Sequence, residues 1–277
     1  MRRALPVLAA LVCAAASGCA DQPARVRLGT TTSVHDSGLL DVLLPAYANT
    51  PGAEEVDVIA VGTGAAFKLG HDGQIDLLLV NDPRGEEQFI AAGDGLSRRT
   101  IMWNSFEILG PANDPAAIVK GAMTTPEALK LIAEARAAFV SRGDDSGTHR
   151  CEKRLWTKAG GRPEWPGYRE TGTGMAATLR VADEVGGYVL TDRATRLTYK
   201  GTLRLVPLFG DRGDLQNEYS VVLLDPKRHP NLNHAGATRL AAWLASGEAG
   251  SRIAAFRLHG ELLFHPLRGE RPARRAG

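Results

Sequence analysis

The sequence predicts an α/β protein of two lobes, because strands alternate with helices and the chain leaves the first lobe and later returns to it. Three strand–loop–helix units come first, with strands at residues 26–28, 56–61 and 75–80. The third strand is almost wholly apolar, which is expected of a parallel strand buried on both faces. A second block of the same alternation follows, and an apolar strand at 219–224 indicates the return.

Local signals support the individual elements. Apolar periodicity predicts a helix from residue 39 to 47, and Pro83 suits the first turn of the helix that follows the third strand. Thr125 and Pro126 combine a cap with a first-turn proline and open a helix of the second block. The remaining predicted elements are a helix after 66, strands at 101–109, 137–141 and 188–191, and helices from 144, from 172, at 235–245 and at 250–258.

The order of these elements sets the expected lobes. We expect residues 26–110 and 204–277 to form the first lobe, and residues 111–203 to form the second. Two such lobes suit a hinged binding protein with its ligand in the cleft between them. Open α/β sheets bind ligands at the carboxyl ends of strands, where loops lead into helices. The strand-to-helix loops are therefore the expected location of the site.

The first residues have the pattern of a secretory signal. Arg2 and Arg3 precede about a dozen apolar residues, a run too short for a membrane helix. Small residues then precede Cys19, as in bacterial lipoprotein signals. We expect residues 1–18 to be removed and Cys19 to carry a lipid, which would anchor the protein to a membrane in the periplasm or cell envelope. The alternative is an ordinary signal in which the cysteine falls by chance.

Charge and cysteine content exclude several classes. Removal of residues 1–18 takes away two arginines and no acid, so the formal net charge falls from +2 to 0. Nucleic acid is therefore not an expected partner. Cys151 has no expected intramolecular partner, and we favour a buried thiol over a reactive one. The histidines lack zinc-like spacing, so no metal site and no cofactor are expected.

Three strand-to-helix loops share a composition of hydroxyls and glycines. They are TTTS at 30–33, GTGA at 62–65 and SRGDDSGT at 141–148, with GTG at 172–174 as a fourth candidate. The first N–H groups of a helix lack internal partners and lie at the positive end of its dipole. Several such loops around one cleft would hold a small dianion. The alternative, for each loop alone, is ordinary helix capping.

Arg142 is the expected charged contact, because it follows a buried-looking strand and precedes a glycine-rich helix entrance. Its guanidinium can offer paired donors to an oxyanion. The alternative is a structural salt bridge to Asp144 or Asp145. Arg193 is a second candidate, for which pairing with Asp192 or another acid is an equal alternative.

In combination, these motifs resemble the tungstate-binding proteins of bacterial tungstate ABC importers. The matching segments are TTTS with DSGLL at 36–40, VGTGAA at 61–66, SRGDDSGTH at 141–149, LTDR at 190–193, NEY at 217–219 and PKRHP at 226–230. Gly174-Met175 and Thr178-Leu179 also fit. The likeness covers nearly all of the chain after residue 18, in order. Ala176 and residues 195–199 depart from the family pattern.

The resemblance implies a two-lobed periplasmic binding protein with two inter-lobe crossings and no enzymatic activity. Its ligand would be tungstate, or molybdate as the close analogue, held by hydrogen bonds without a protein–metal bond. Its partner would be the membrane permease of an ABC importer, and the protein itself would be a monomer. The expected ligand-binding residues are Thr31, Thr32, Ser33, Thr63, Arg142, Ser146 and Thr148, with Arg193 as the further candidate.

Two other functions stay open. A phosphate-type oxyanion keeps a proton near neutral pH and benefits from a carboxylate acceptor, which Asp144 or Asp145 could provide. A serine hydrolase could use Ser146 with His149, or the hydroxyl and imidazole near residues 35–37. No G-x-S-x-G elbow occurs in the sequence, and nearness in sequence does not make a triad, so no catalytic residue is expected.

Overall fold

The computed structural model describes residues 25–210 and 213–267. The predicted signal peptide and Cys19 lie outside the described residues, so the structure does not bear on them.

The described chain contains twelve strands, eleven helices and a 3-10 turn at Gly213–Leu215. The strands are β1 Arg25–Thr31, β2 Glu55–Val61, β3 Leu77–Val80, β4 Gly95–Gly110, β5 Phe139–Ser141, β6 Tyr168–Glu170, β7 Val189–Asp192, β8 Val206–Phe209, β9 Gln216–Leu224, β10 Arg257–Leu258, β11 Glu261–Leu262 and β12 His265–Pro266. The helices are α1 Thr32–Asp36, α2 Leu39–Ala48, α3 Thr63–His71, α4 Pro83–Ala91, α5 Ile118–Gly121, α6 Thr125–Glu134, α7 Gly147–Lys158, α8 Met175–Val185, α9 Arg193–Thr198, α10 His234–Leu244 and α11 Gly247–Ala255.

The first lobe is built on a sheet with the strand order β12-β4-β9-β3-β1-β2. Strands β1, β2 and β3 are parallel, as predicted. Strand β9 is antiparallel to β3 and to β4, and β12 is antiparallel to β4, so the complete sheet is mixed. The reason is connectivity: β4 takes the chain out of the lobe and β9 follows its return, so the two run in opposite directions.

Strand β4 belongs to both lobes. Its residues from Gly95 to Ser105 pair with β9, whereas Phe106 to Gly110 pair with β7 and β8. We therefore propose that the first passage between lobes lies at Ser105/Phe106 rather than at 110/111. We also place the return after β8 rather than at 204, because β8 still pairs with the second-lobe end of β4. The α/β architecture of the prediction is confirmed.

Each lobe has its own apolar core. In the first lobe, α2, α10 and α11 cover one face of the sheet, while α3 and α4 cover the other. The second-lobe core gathers α6, α7 and the aromatic residues around Phe139. Helix α9 departs from the predicted division, because Ala194 and Leu197 pack into the core of the first lobe. The chain therefore makes an additional contact between lobes directly after β7.

Several local predictions can be compared directly. The helix expected at 250–258 is wrong at both ends, because α11 spans Gly247–Ala255 and the extended Phe256 leads into β10. Thr124, rather than Thr125, caps α6, in a reciprocal capping box with Glu127. Cys151 is buried at 4% exposure, and burial raises the pKa of its thiol to about 12, so the prediction of a buried thiol is confirmed. Among the described residues, no helix is long and apolar enough to cross a membrane.

Candidate ligand-binding site

A small cavity lies between the lobes, where β1, β2 and β5 end and helices α1, α3 and α7 begin. Its volume is about 10 Å³, enough for roughly one water-sized centre. The lobes touch beside it, because Gly147 N of the second lobe donates to Thr63 Oγ1 of the first at 3.2 Å. We call it the inner cavity. It is lined by Thr31, Thr32, Ser33, Val61, Gly62, Thr63, Asn81, Arg142, Ser146, Gly147 and Thr148. Seven of the eight predicted ligand residues are in this set.

The first lobe supplies hydroxyls from two helix starts. Thr31 is the N-cap of α1: its Oγ1 accepts from Val34 N and lies 3.2 Å from Ser33 Oγ. Thr63 is the first residue of α3 and is 2% exposed. Gly62 precedes it with open space where a Cβ would stand, so the backbone is accessible from the cavity. These positions follow from the parallel strands β1 and β2, whose carboxyl ends meet at one edge.

The second lobe supplies Arg142 and the start of α7. Gly143 has a φ of 62°, which glycine adopts readily, and this turns the chain sharply after Arg142. Ser146 is the N-cap of α7, and its Oγ accepts from His149 N at 3.3 Å. Because that bond uses the oxygen of Ser146 as acceptor, its hydroxyl hydrogen remains free to donate. Thr148 is also buried beside it.

Arg142 has both of the environments proposed from the sequence. Its Nε and Nη2 donate to Asp144 Oδ2 at 3.1 and 2.5 Å, so the expected structural salt bridge exists. The same side chain lines the inner cavity and is only 8% exposed. A guanidinium has five N–H donors, so Nη1 remains for a ligand. Burial raises the pKa of Asp192, and the positive charge of Arg142 opposes part of this rise.

The inner cavity offers donors and no formal negative charge. The residues described in its lining carry hydroxyls, an amide and a guanidinium, and none is a carboxylate. Asp144 is close, but its oxygens accept from Arg142 and from Ser146 N. Asp145 is held by Arg150 and Lys153 outside the lining, and the Arg150 hydrogen bond keeps the pKa of Asp145 near 2. The site therefore fits an anion that needs no acceptor.

Arg193 does not line the inner cavity, so the structure does not bring this expected ligand residue together with the other seven. Its guanidinium pairs with Glu107 at 3.2 Å and with Glu261 at 3.1 Å, and it does not line the inner cavity. The partner is therefore another acid and not Asp192, which instead caps α9 by accepting from Thr195. The buried charge of Glu107 requires cationic partners, and Arg193 and Arg196 supply them.

The fourth predicted loop lies beside the inner cavity. Gly174 and Met175 line an outer cavity of about 280 Å³, together with Arg180 and Tyr199. This outer cavity shares Thr32, Ser33 and Arg142 with the inner one, so the two adjoin. The departures from the family pattern at Ala176 and 195–199 thus fall around the outer cavity.

Four lining residues were not among the expected ligand contacts, and Asn81 is the most informative of them. It follows β3, and its Oδ1 accepts from Thr63 Oγ1 at 3.1 Å. Gly147 N donates to the same Thr63 oxygen from the opposite lobe. A Cβ on Gly147 would lie 2.6 Å from Asn81 Oδ1, so only glycine permits this approach. The signal was present, because residues 62 and 81 both follow strands that run parallel to β1 and end at the same sheet edge.

An ion-pair cluster closes one side of the cleft. Asp82, at the start of α4, is almost fully buried and accepts from Arg150 at 2.7 Å and Arg154 at 3.3 Å, both on α7. These bonds join the first lobe to the second. We call Asp82, Arg150 and Arg154 the mouth cluster.

The geometry argues against a hydrolase at either serine. Ser146 Oγ is a helix cap, and His149 Nδ1 accepts from Asp145 N, so the imidazole is not oriented toward the hydroxyl as a base. Ser37 Oγ donates to Val34 O, and His35 Nδ1 lies beside Asp36 on the surface.

Comparison with known proteins agrees with this architecture. A family model described as the PBP superfamily domain matches residues 18–248. The chain is 40% identical to a tungstate-binding protein TupA of Peptoclostridium acidaminophilum, over 96% of this chain and 99% of that protein.

Two solved structures are similar in both sequence and fold. The tungstate ABC transporter structure from Geobacter sulfurreducens has a TM-score of 0.76 at 44% identity and covers 84% of this chain and 98% of that one. The tungstate-binding protein TupA from Desulfovibrio alaskensis has a TM-score of 0.78 at 39% identity, covering 88% and 99%. By these matches, the chain belongs to the PBP superfamily and, within it, to the TupA family of tungstate-binding transport proteins.

Proposed function

We propose that this protein binds tungstate, or its analogue molybdate, in the inner cavity and delivers it to the membrane permease of an ABC importer. One observation carries the choice of ligand class: the described lining of the cavity offers hydroxyl, N–H and guanidinium donors without a carboxylate. A fully deprotonated dianion presents only acceptors, so it is complementary to such a lining. The names of the relatives point to the same ligand.

The proposed ligand set is the part of the predicted set that lines the cavity. It comprises Thr31, Thr32, Ser33, Thr63, Arg142, Ser146 and Thr148, while Asn81 lines the same cavity and is hydrogen-bonded to Thr63. Arg142 supplies the only formal positive charge in this set. The N-termini of α3 and α7 add the partial positive charge of their free N–H groups.

Phosphate is the weaker candidate. Near neutral pH it keeps a proton, and that proton needs an acceptor in the site. Asp144 and Asp145, which kept this alternative open, are engaged by Arg142, Arg150 and Lys153. An incoming hydrogen phosphate would have to displace one of these bonds, which disfavours it.

Calorimetry of the purified protein tests the proposal directly. Tungstate and molybdate should bind with one ion per chain and compete with each other, while phosphate should bind far more weakly. Sulfate is also fully deprotonated but smaller, so its affinity shows whether the site selects ions by protonation state alone or also by size. Phosphate binding as tightly as tungstate would contradict the proposal.

The export and anchoring of the chain are part of the same proposal. We propose that residues 1–18 are a signal peptide, that Cys19 carries the lipid, and that the mature protein works as a monomer at the cell envelope. Cys19→Ala should move the protein from the membrane fraction into soluble extract, because the acyl chains supply the hydrophobic attachment. Equal membrane association of both forms would count against the anchor.

A further inference from the structure

A chain of buried amides lies beneath the inner cavity. Thr63 Oγ1 donates to Asn81 Oδ1, and Asn81 Nδ2 donates to Asn217 Oδ1 at 3.0 Å. Asn217 Nδ2 in turn donates to Asn104 Oδ1 and to the Tyr219 hydroxyl, each at 2.8 Å. Asn104 and Asn217 face each other on β4 and β9, just before β4 changes lobe. The chain thus links a cavity hydroxyl to the strands of the hinge.

With the hydrogen bonds in this direction, the last amide of the chain has an unpaired N–H group. The Nδ2 of Asn104 is buried and has no hydrogen-bond partner with normal geometry, although the residue is only 1% exposed. An unpaired buried donor is rarer and less favourable than an under-used carbonyl oxygen. Turning the three amides over exchanges each oxygen with its nitrogen and moves no other heavy atom, while the Tyr219 hydroxyl turns to donate to Asn217 Oδ1. Asn104 then donates to Asn217, Asn217 to Asn81, and Asn81 to Thr63.

The reversed direction changes what Thr63 presents to the cavity. Its oxygen already accepts from Gly147 N at 3.2 Å. If Asn81 Nδ2 also donates to it, both lone pairs of Thr63 Oγ1 are used. The hydroxyl hydrogen must then point away from both donors, and the inner cavity is the polar space beside it. The second N–H of Asn81 also becomes a donor at the cavity wall.

We propose that Asn81 is a positioning residue which, through the amide chain from Asn104 and Asn217, makes the Thr63 hydroxyl an obligate donor to the bound oxyanion. The inference rests on the proposed function and adds how the site excludes protonated ions. In the reversed direction the amide chain offers no acceptor to the cavity. In the other direction, the Thr63 hydroxyl donates its hydrogen to Asn81, and its oxygen keeps a lone pair that can accept the proton of a hydrogen phosphate.

A double-mutant cycle between Asn217 and Thr63 tests the proposal, because Asn217 does not line the cavity. Residue 217 is buried, and burial raises the pKa of a carboxyl, so the cycle is run at alkaline pH. There the ionised carboxylate of Asn217→Asp only accepts, which forces Asn81 Nδ2 toward residue 217 and its oxygen toward Thr63. We expect tungstate affinity to fall about tenfold or more. The added negative charge contributes to that loss, but it does so equally when Thr63 is replaced by Val. The effect of Asn217→Asp should therefore be smaller in the Thr63→Val background by about fivefold or more.

The ratio of tungstate to phosphate affinity gives a second readout, because charge weakens both dianions alike. We expect Asn217→Asp to lower this ratio and Thr63→Val to abolish the change. Thr30→Val is the matched control: Thr30 is buried nearby and donates to Leu79 O, outside the cavity lining. Its effect should add to that of Asn217→Asp without coupling. If Asn217→Asp does not fold, as judged by circular dichroism, neutral Asn217→Leu replaces it in the same cycle.

The outcomes are separable. A wild-type protein that fails to bind tungstate overturns both the proposed function and this inference. In a second outcome, the wild type binds tungstate normally, while Asn217→Asp lowers the affinity by the same factor in the native and the Thr63→Val backgrounds. That result overturns the amide chain alone.

Discussion

The inner cavity and the mouth cluster lie on the same cleft but use opposite electrostatics. In the mouth cluster, the buried carboxylate of Asp82 is held by two arginines of the other lobe. In the inner cavity, one arginine and several neutral donors converge, and no described lining residue carries a negative charge. The first arrangement satisfies its charges within the protein. The second leaves Nη1 of Arg142 and several hydroxyl and N–H donors for an anion, although Asp144 already pairs with Nε and Nη2.

The difference indicates a division of roles. We expect the ion pairs between the lobes to stabilise the closed arrangement whichever ligand is present, and the donors of the cavity to determine which ligand favours it. A ligand shifts the equilibrium between open and closed forms only by its differential affinity for them. Changes in the cavity should therefore alter affinity and selectivity, and changes at the mouth should alter affinity alone.

The largest effect is expected for Arg142→Ala. It removes the one formal positive charge among the described lining residues and leaves Asp144 without this ion pair. Hydrogen bonds to charged groups contribute roughly 1.5–3 kcal/mol, so tungstate affinity should fall about tenfold to a hundredfold. Arg142→Lys keeps the charge without the planar fork and should restore part of the loss. A dissociation constant unchanged by calorimetry would remove Arg142 from the site.

A smaller effect is expected for Asp82→Asn at the mouth cluster. The substitution keeps the shape of the side chain but removes the charge that holds Arg150 and Arg154 across the cleft. Affinities for tungstate and molybdate should fall by the same factor, about three- to tenfold, because only closure is affected. Asp145→Asn is the matched control: Asp145 also pairs with Arg150, but within the second lobe. It should change affinity by less than about twofold, and a change in the tungstate-to-molybdate ratio in Asp82→Asn would contradict the division.

The stability of the ligand-free protein should depend on pH through the buried Glu86. Burial raises the pKa of Glu86 to about 7 from its ordinary 4.5, against the lowering effect of Arg98. Between pH 4.5 and about 7, Glu86 is protonated in the folded protein and ionised in the unfolded chain. The stability that protonated Glu86 contributes is therefore present at low pH and is lost as the pH rises through about 7. The ligand-free melting temperature should therefore fall from pH 5 to pH 8 by less in Glu86→Gln than in the wild type. Identical pH profiles would refute the assignment.

The smallest effect on binding is expected for Arg193→Ala. Arg193 pairs with Glu107 and Glu261 and does not line the inner cavity. Tungstate affinity should stay within about twofold of the wild type, while the melting temperature falls because the buried Glu107 loses one of its cationic partners. A tenfold loss of affinity with unchanged stability would return Arg193 to the ligand set.

The sequence determined the local chemistry of the site. Helix starts after strands could be located because hydroxyls and glycines are typical of helix N-termini, and parallel strands bring their carboxyl ends together. This logic placed Thr31, Thr63 and Ser146 around one cavity. The same logic could have included Asn81, which follows the buried strand β3, but an amide after a strand is equally typical of a turn.

Only the tertiary structure decided which charges meet. Arg142 and Arg193 follow similar short strands and stand beside aspartates in sequence, so no local signal separates them. Their roles differ because Gly143 turns the chain back after Arg142, whereas Arg193 begins α9, which packs on the first lobe beside Glu107 and Glu261. Local patterns specify strands, helices and caps, since these depend on near neighbours in the chain. The Asp82–Arg150 ion pair joins residues 68 positions apart and the Asn81–Asn217 hydrogen bond joins residues 136 positions apart, and only folding brings those partners together.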